Sequence, residues 1–139
     1  MQYKRIMCLD YGDVRIGIAF SDLLQTIASP YDTYTRVNLE KDLEYFKNLS
    51  KNQDVELIVI GLAYNMDGSE GNRIIVTKDF GKILSEYLNI PVVYVDERLS
   101  SVEAEEVLAE ARVPAIKRKG LIDKIAASII LQNYLNSKI

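Results

Sequence analysis

Three strand-like runs precede the first helix-like segment of this chain, and that order constrains the fold more than any other feature. Lys4–Asp10 is an apolar run built on Ile6-Met7-Cys8-Leu9. Tyr11-Gly12-Asp13 has the composition of a tight turn. Arg15–Ser21 is a second strand, so residues 4–21 are predicted to form a hairpin. Thr26–Tyr34 is a third, less regular strand, and Pro30, which has no N–H for a ladder, implies an edge or a bend there. Helix and strand patterns alternate from then on. Asn38 is placed to cap a helix to about Asn52, with Leu39, Leu43, Phe46 and Leu49 at helical spacing. Val55–Ile60 suits a central strand covered on both faces. The polar loop Ala63–Gly71 leads to a helix from about Asn72 to Leu88, then to the strand Val92–Asp96. Ser100-Ser101-Val102-Glu103 is a capping box opening a helix to about Ala111. Val113-Pro114 breaks it, and a last helix runs from about Lys119 to Leu135.

A doubly wound sheet would alternate strand and helix from its start. Three meandering strands followed by alternation predict an α/β fold with a mixed five-stranded sheet of ribonuclease-H-like type, antiparallel in its first three strands, then parallel, flanked by helices. At 139 residues the chain is expected to be one domain, 1–139, with a real core. No apolar run approaches the roughly 18 residues of a membrane span. Met1–Arg5 leads straight into a strand, without the apolar region of a signal peptide. Cys8 is the single cysteine, so no disulfide forms within the chain, and a cytoplasmic protein is expected.

The chain has no histidine. That excludes Ser-His-Asp and Cys-His nucleophile chemistry, and any histidine general base. With one cysteine as well, a structural zinc site is not expected. Hydrolytic chemistry is left to carboxylates with a hard cation, Mg²⁺ or Mn²⁺.

Asp10, Glu97 and Asp123 stand where an acid is a poor structural choice. Asp10 closes the first strand, Glu97 follows Val92–Asp96, and Asp123 interrupts the apolar stretch Leu121–Ala127. Both strand ends belong to the carboxyl edge, where ligands bind in open α/β sheets. By two-residue alternation Asp10 shares a face with Ile6 and Cys8, and Glu97 with Val93 and Val95, whereas Asp96 points the other way. Ala126 and Ala127 would let the last helix lie close to the sheet with Asp123 towards the strand ends. Two carboxylates about 4 Å apart repel by roughly 4 kcal/mol at an effective dielectric near 20. The acids must therefore stand apart, share a proton or hold a cation. In the plainer alternative each pairs with a neighbouring base, Asp10 with Arg15, Glu97 with Arg98 and Asp123 with Lys119.

The net charge of −3 does not mark a nucleic-acid binder, but its distribution is uneven. Arg112, Lys117, Arg118, Lys119 and Lys124 cluster around Asp123. Gly12 admits close approach of a phosphate as readily as a turn. The loop containing Asn65 and Ser69 precedes a helix N-terminus at the same sheet edge.

The stretches LDYGDVRIGIAFSD (Leu9–Asp22), VIGLAYNMDGSEG (Val59–Gly71), VDERLSSVEAE (Val95–Glu105) and DKIAASIILQNYL (Asp123–Leu135) together resemble the YqgF family of ribonuclease-H-fold proteins, also described as Holliday-junction-resolvase-like. Ala63 departs from the family, which usually has proline after Gly-Leu. The resemblance implies nuclease activity on the 5′ end of pre-16S ribosomal RNA, in ribosome biogenesis, with junction resolution of branched DNA as the alternative. It carries the acidic roles onto Asp10, Glu97 and Asp123 as catalytic and metal-holding residues. Gly12, Arg15, Asn65, Ser69, Arg98, Lys117, Arg118 and Lys119 are expected to contact nucleic acid. The expected partners are pre-rRNA or branched DNA and the small-subunit precursor. A resolvase would need two sites, hence a homodimer; an RNA trimmer could be a monomer. Two rivals have sequence support. Asp10-x-Gly12 followed by Gly17 also resembles the phosphate loop of actin-like ATPases, although those clamp nucleotide between two such domains. A non-catalytic RNA-binding assembly factor would keep the acids for folding alone.

Overall fold

The computed structural model describes residues 3–62, 71–97 and 100–137. Its elements are β1 (Arg5–Asp10), β2 (Arg15–Ser21), β3 (Ala28–Thr35), α1 (Leu39–Asn52), β4 (Val55–Leu62), α2 (Asn72–Leu88), β5 (Val92–Asp96), α3 (Ser100–Glu110) and α4 (Ala115–Ser137). The five strands lie in the order β3-β2-β1-β4-β5. β1–β2 and β2–β3 are antiparallel, and β1–β4 and β4–β5 are parallel, so the sheet is mixed in the way the element order predicts.

β1 is central and buried on both faces, which is why it reads as a continuous apolar run rather than an alternating one. Met7, Leu9 and Tyr11 enter one core with Leu43 and Phe46 of α1 and Phe80 and Leu84 of α2. Ile6 and Cys8 enter the other, with Ala127, Ile130, Leu131 and Leu135 of α4. Each such aliphatic side chain contributes about 1.5–3 kcal/mol on full burial. Asp10, next in alternation after Ile6 and Cys8, therefore belongs to the α4 face.

Asn38 caps α1 as expected, accepting the Lys41 N–H at 2.9 Å. The inner face of α1 is not wholly apolar. Leu39 stays exposed while Asp42 is fully buried. The Asp42 carboxylate accepts hydrogen bonds from Tyr34 Oη (2.8 Å), Arg36 Nε (3.0 Å) and the Val37 N–H (3.0 Å). Burial would raise its pKa, but these donors and the Arg36 charge outweigh that and hold it below the usual carboxylate range. β3 is an edge strand, and Pro30 sits opposite Ala19 where the register with β2 shifts, which is the bend its missing N–H predicts.

Of the boundaries that differ from the sequence reading, three have a visible local cause. β3 starts at Ala28, not Thr26, because the Thr26 and Ile27 N–H groups bond to the Asp22 carboxylate instead of a strand. β4 runs past Ile60 to Leu62, since Gly61 and Leu62 still pair with Val95 and Asp96 of β5. α4 begins at Ala115, before Lys119, because the Pro114 carbonyl accepts the Lys117 N–H (2.9 Å). A proline that ends one helix loses nothing by standing at the start of the next, where its missing N–H has no partner to lose. Among the described residues no helix is long and apolar enough to cross a membrane.

Candidate active site

The carboxyl ends of β1, β4 and β5 form one edge of the sheet, and the α4 face of that edge carries the acids. In register, Asp10 stands opposite Gly17 of β2. On its other side Leu9 pairs with Ile60, so Gly61 of β4 is the next neighbour of Asp10. Both flanking positions lack a side chain for a reason of space. A Cβ on Gly17 would lie 2.0 Å from the Asp123 carbonyl oxygen, so the α4 backbone rests directly on β2 there. A Cβ on Gly61 would lie 2.8 Å from Glu97 Oε2 and 2.9 Å from Ile130 Cδ1. Glu97 thus lies over Gly61 and reaches Asp10 across β4. Ala126 and Ala127 are fully buried, which brings the α4 turn after Asp123 close to the sheet.

Asp10 and Glu97 are hydrogen-bonded to each other and share a proton. Burial is the largest cause pushing the Glu97 carboxyl up, to about 9, and the adjacent Asp10 charge and hydrogen bond add to it. Burial also raises Asp10, to about 6, opposed by the Glu97 hydrogen bond and assisted by the nearby Asp123 charge. The protonated member is therefore Glu97, and Asp10 is the acceptor. Burial, assisted by the same two acids, raises the Cys8 thiol well above its ordinary range. Asp96 is exposed, on the side away from the pair that alternation assigns it.

Asp123 is close enough to act on Asp10 electrostatically, but its Oδ2 accepts the Arg15 Nε–H at 2.8 Å. Among the described residues, no three acidic side chains form a ready-made metal cluster. Of the separate pairings, Asp10 with Arg15 is not formed, since Asp10 meets Glu97 and Arg15 turns to Asp123; the pairings with Arg98 and Lys119 involve side chains outside the described residues. A donor set made only of carboxylate oxygens, with a buried proton between two of them, nevertheless suits a hard divalent cation, which can take that proton's place.

Of the residues expected at nucleic acid, Gly12 has a local task, since a Cβ there would meet the Arg15 carbonyl oxygen across the turn at 2.4 Å. Arg118 ties α4 to α3 through Val113 O (2.7 Å) and Glu105 (3.2 Å). Lys117 is exposed. Asn65, Ser69, Arg98 and the Lys119 side chain lie outside the described residues, as does the Ser100 side chain of the capping box.

The sequence reading missed Arg73, in the first turn of α2. Its Nη2 donates to the carbonyl of Tyr11, the residue after Asp10, at 2.8 Å, and its Nη1 lies 3.6 Å from Asp13 Oδ2. Its charge lowers the pKa of both Asp10 and Glu97. A signal was available: helices favour acids, not bases, in the first turn, and α2 has no acid there.

Residues 4–137 match the family described as "RuvX: Holliday junction resolvase". A protein from Halothermothrix orenii named "Putative pre-16S rRNA nuclease" is 54% identical over 132 residues, covering 95% of this chain and 94% of the relative. One of the same name from Syntrophomonas wolfei is 50% identical, with the same coverage. Among solved structures, Thermus thermophilus RuvC in complex with a Holliday junction substrate superposes with a TM-score of 0.61 at 11% identity, covering 98% of this chain and 96% of that one. The Fowlpox virus resolvase with Holliday junction DNA gives 0.55 at 13% identity, covering 96% and 97%. These two similarities establish the ribonuclease-H-like fold.

Proposed function

This chain belongs to the RuvX/YqgF family, and from that premise we propose that it is a metal-dependent nuclease that hydrolyses phosphodiester bonds in 5′-end processing of pre-16S ribosomal RNA. The observation that carries the reading is geometric: the half-buried Asp10 and Glu97 side chains meet over Gly61 at the carboxyl edge of the sheet. A pair held this way costs stability unless a cation offsets it, and among the described residues no base forms an ion pair with either acid, although the Arg73 charge acts on both.

Asp10, Glu97 and Asp123 would hold Mg²⁺ or Mn²⁺. A bound divalent ion supplies positive charge to the phosphate oxygens and acidity to the attacking water. In the reaction, water oxygen bonds to phosphorus as one ester P–O bond breaks; the water gives up a proton and the leaving oxygen gains one. Glu97 must first release the proton it shares with Asp10. Arg15 keeps Asp123 oriented through one carboxylate oxygen, which is the task of a residue behind a metal ligand. Exposed bases such as Lys117 would draw in the RNA backbone, with affinity that falls steeply with salt.

A second reading is favoured by the fold of the junction-bound resolvases and by the family's description: cleavage of a four-way DNA junction by a homodimer. Side-by-side cleavage with Mn²⁺ of a 5′-extended pre-16S RNA fragment and a four-way junction, by wild type and Asp10→Asn, separates the readings. RNA cut only by wild type supports the processing nuclease. Junctions cut in symmetric pairs support the resolvase. RNA bound but never cut, under any divalent metal, would sink both and leave an assembly factor.

A further inference from the structure

We propose that Arg73 is the site's phosphate-contacting cation, touching a non-bridging oxygen of the scissile phosphate and offsetting the charge that builds there as water adds. This rests on the nuclease reading above and adds a residue to it.

Four observations support the assignment. First, Arg73 stands where local chemistry disfavours it, at the positive end of α2, whose first turn has no acid to balance it. Second, its guanidinium is fixed rather than free: the bond to Tyr11 O anchors it to the backbone next to Asp10. Third, that anchoring leaves capacity. A guanidinium has five N–H donors. Among the described residues one of them makes a hydrogen bond, and the approach to Asp13 at 3.6 Å is too long for a good one. Asp13 is itself 78% exposed, so the contact is screened and easily exchanged for a phosphate oxygen. Fourth, the Arg73 side chain is 46% exposed, open to a polymer arriving from solvent.

The other arginines described near this edge are committed. Arg15 holds Asp123. Arg36 is bonded to the buried Asp42 and to Tyr11 Oη. Arg118 joins α3 and α4. Among the described arginines near this edge, Arg73 is the one that can meet substrate without dismantling part of the fold. Its planar fork also matches two phosphate oxygens better than an ammonium does.

The experiment compares wild type, Arg73→Lys and Arg73→Met by two readouts. In the first, a fluorescent single-stranded RNA is titrated in EDTA over a range of salt, so that no metal contributes. Arg73→Met is expected to lower the slope of log affinity against log salt by about 0.7–1, one phosphate contact fewer. In the second, kcat and KM for Mn²⁺-dependent cleavage are separated. Arg73→Met is expected to lose about 10²–10³ in kcat, as for removal of one charge-stabilising donor, and Arg73→Lys to recover part of it. Melting curves of both variants report any loss through Tyr11, and Arg73→Lys keeps the comparison if Arg73→Met fails to fold. An active wild type with an equally active Arg73→Met and an unchanged salt slope overturns this inference alone. A wild type that cleaves nothing overturns the nuclease reading, and the catalytic half of this inference with it.

Discussion

The Glu97 carboxylate occupies the space that a side chain on Gly61 would fill, with Oε2 only 2.8 Å from where a Cβ would stand. The meeting of two acids from separate strands depends on the strand between them being bare at one position.

Gly61→Ala should therefore damage the site more than the fold. The two nearest atoms a methyl group would meet, Glu97 Oε2 and Ile130 Cδ1, are side-chain tips that can shift; the third, Glu97 Cβ at 3.0 Å, is tied to the backbone and moves only with the segment after β5. The expected stability loss is about 1 kcal/mol, the low end for overpacking. The displaced Glu97 should cost about 10²-fold in cleavage. Urea unfolding beside an Mn²⁺-dependent cleavage assay checks the separation; equal activity with wild type would contradict it.

Gly17→Ala should do the reverse in order of severity. Here the new methyl would meet the backbone of α4 at Asp123, 2.0 Å away, and a helix cannot step aside as a side chain can. The expected loss is about 3 kcal/mol, with weaker α4 docking. Hydrogen exchange in residues 121–131, compared between variant and wild type, reads this directly.

The Asp10–Glu97 pair sets a pH dependence. Unfolded, these groups titrate near about 3.9 and 4.3; folded, burial and their proximity raise them to about 6 and about 9. The folded metal-free protein thus binds more protons than the unfolded chain in that window. The pair's contribution is fully present below about pH 4 and is lost as pH rises through about 6 and towards 9. Near pH 7 a divalent ion should displace about one proton, so its affinity rises with pH. Metal titration calorimetry in buffers of different ionisation heat counts that proton; Glu97→Gln should abolish its release.

Asp42 has the opposite sign. Its folded pKa is depressed, so its contribution is present above the unfolded value and is lost as pH falls through the folded one. Asp42→Asn leaves the partly buried Arg36 guanidinium without its counter-charge, at an expected cost of about 3 kcal/mol. Because Asp42 lies on the face away from α4, metal affinity of the folded variant should match wild type. Acid unfolding curves and Mn²⁺ titration of the same samples test both statements.

The parts of this molecule legible in its sequence are those written in local patterns. The apolar runs of β1 and β4, the helix from Asn72 to Leu88 and the strand Val92–Asp96 lie where periodicity puts them. Alternation also assigned Asp10 and Glu97 to one face. The rest depends on register between distant segments. Arg15 finds Asp123 108 positions away, in preference to the nearer Asp10. Nothing local to Gly17 or Gly61 gives away its role; only pairing against Asp10 reveals that each makes room for one of the other two acids. Arg73 escaped because its neighbours, Tyr11 and Asp13, belong to a turn some 62 positions earlier.

Because the α4 backbone rests on Gly17, Asp123 is carried in by an element that follows every strand of the sheet in sequence. The five strands can pair before α4 docks, whereas the third acid is in place only afterwards. A chain cut back to before α4 would keep Asp10 beside Glu97 without the third acid, and it is expected to lack Mn²⁺-dependent cleavage.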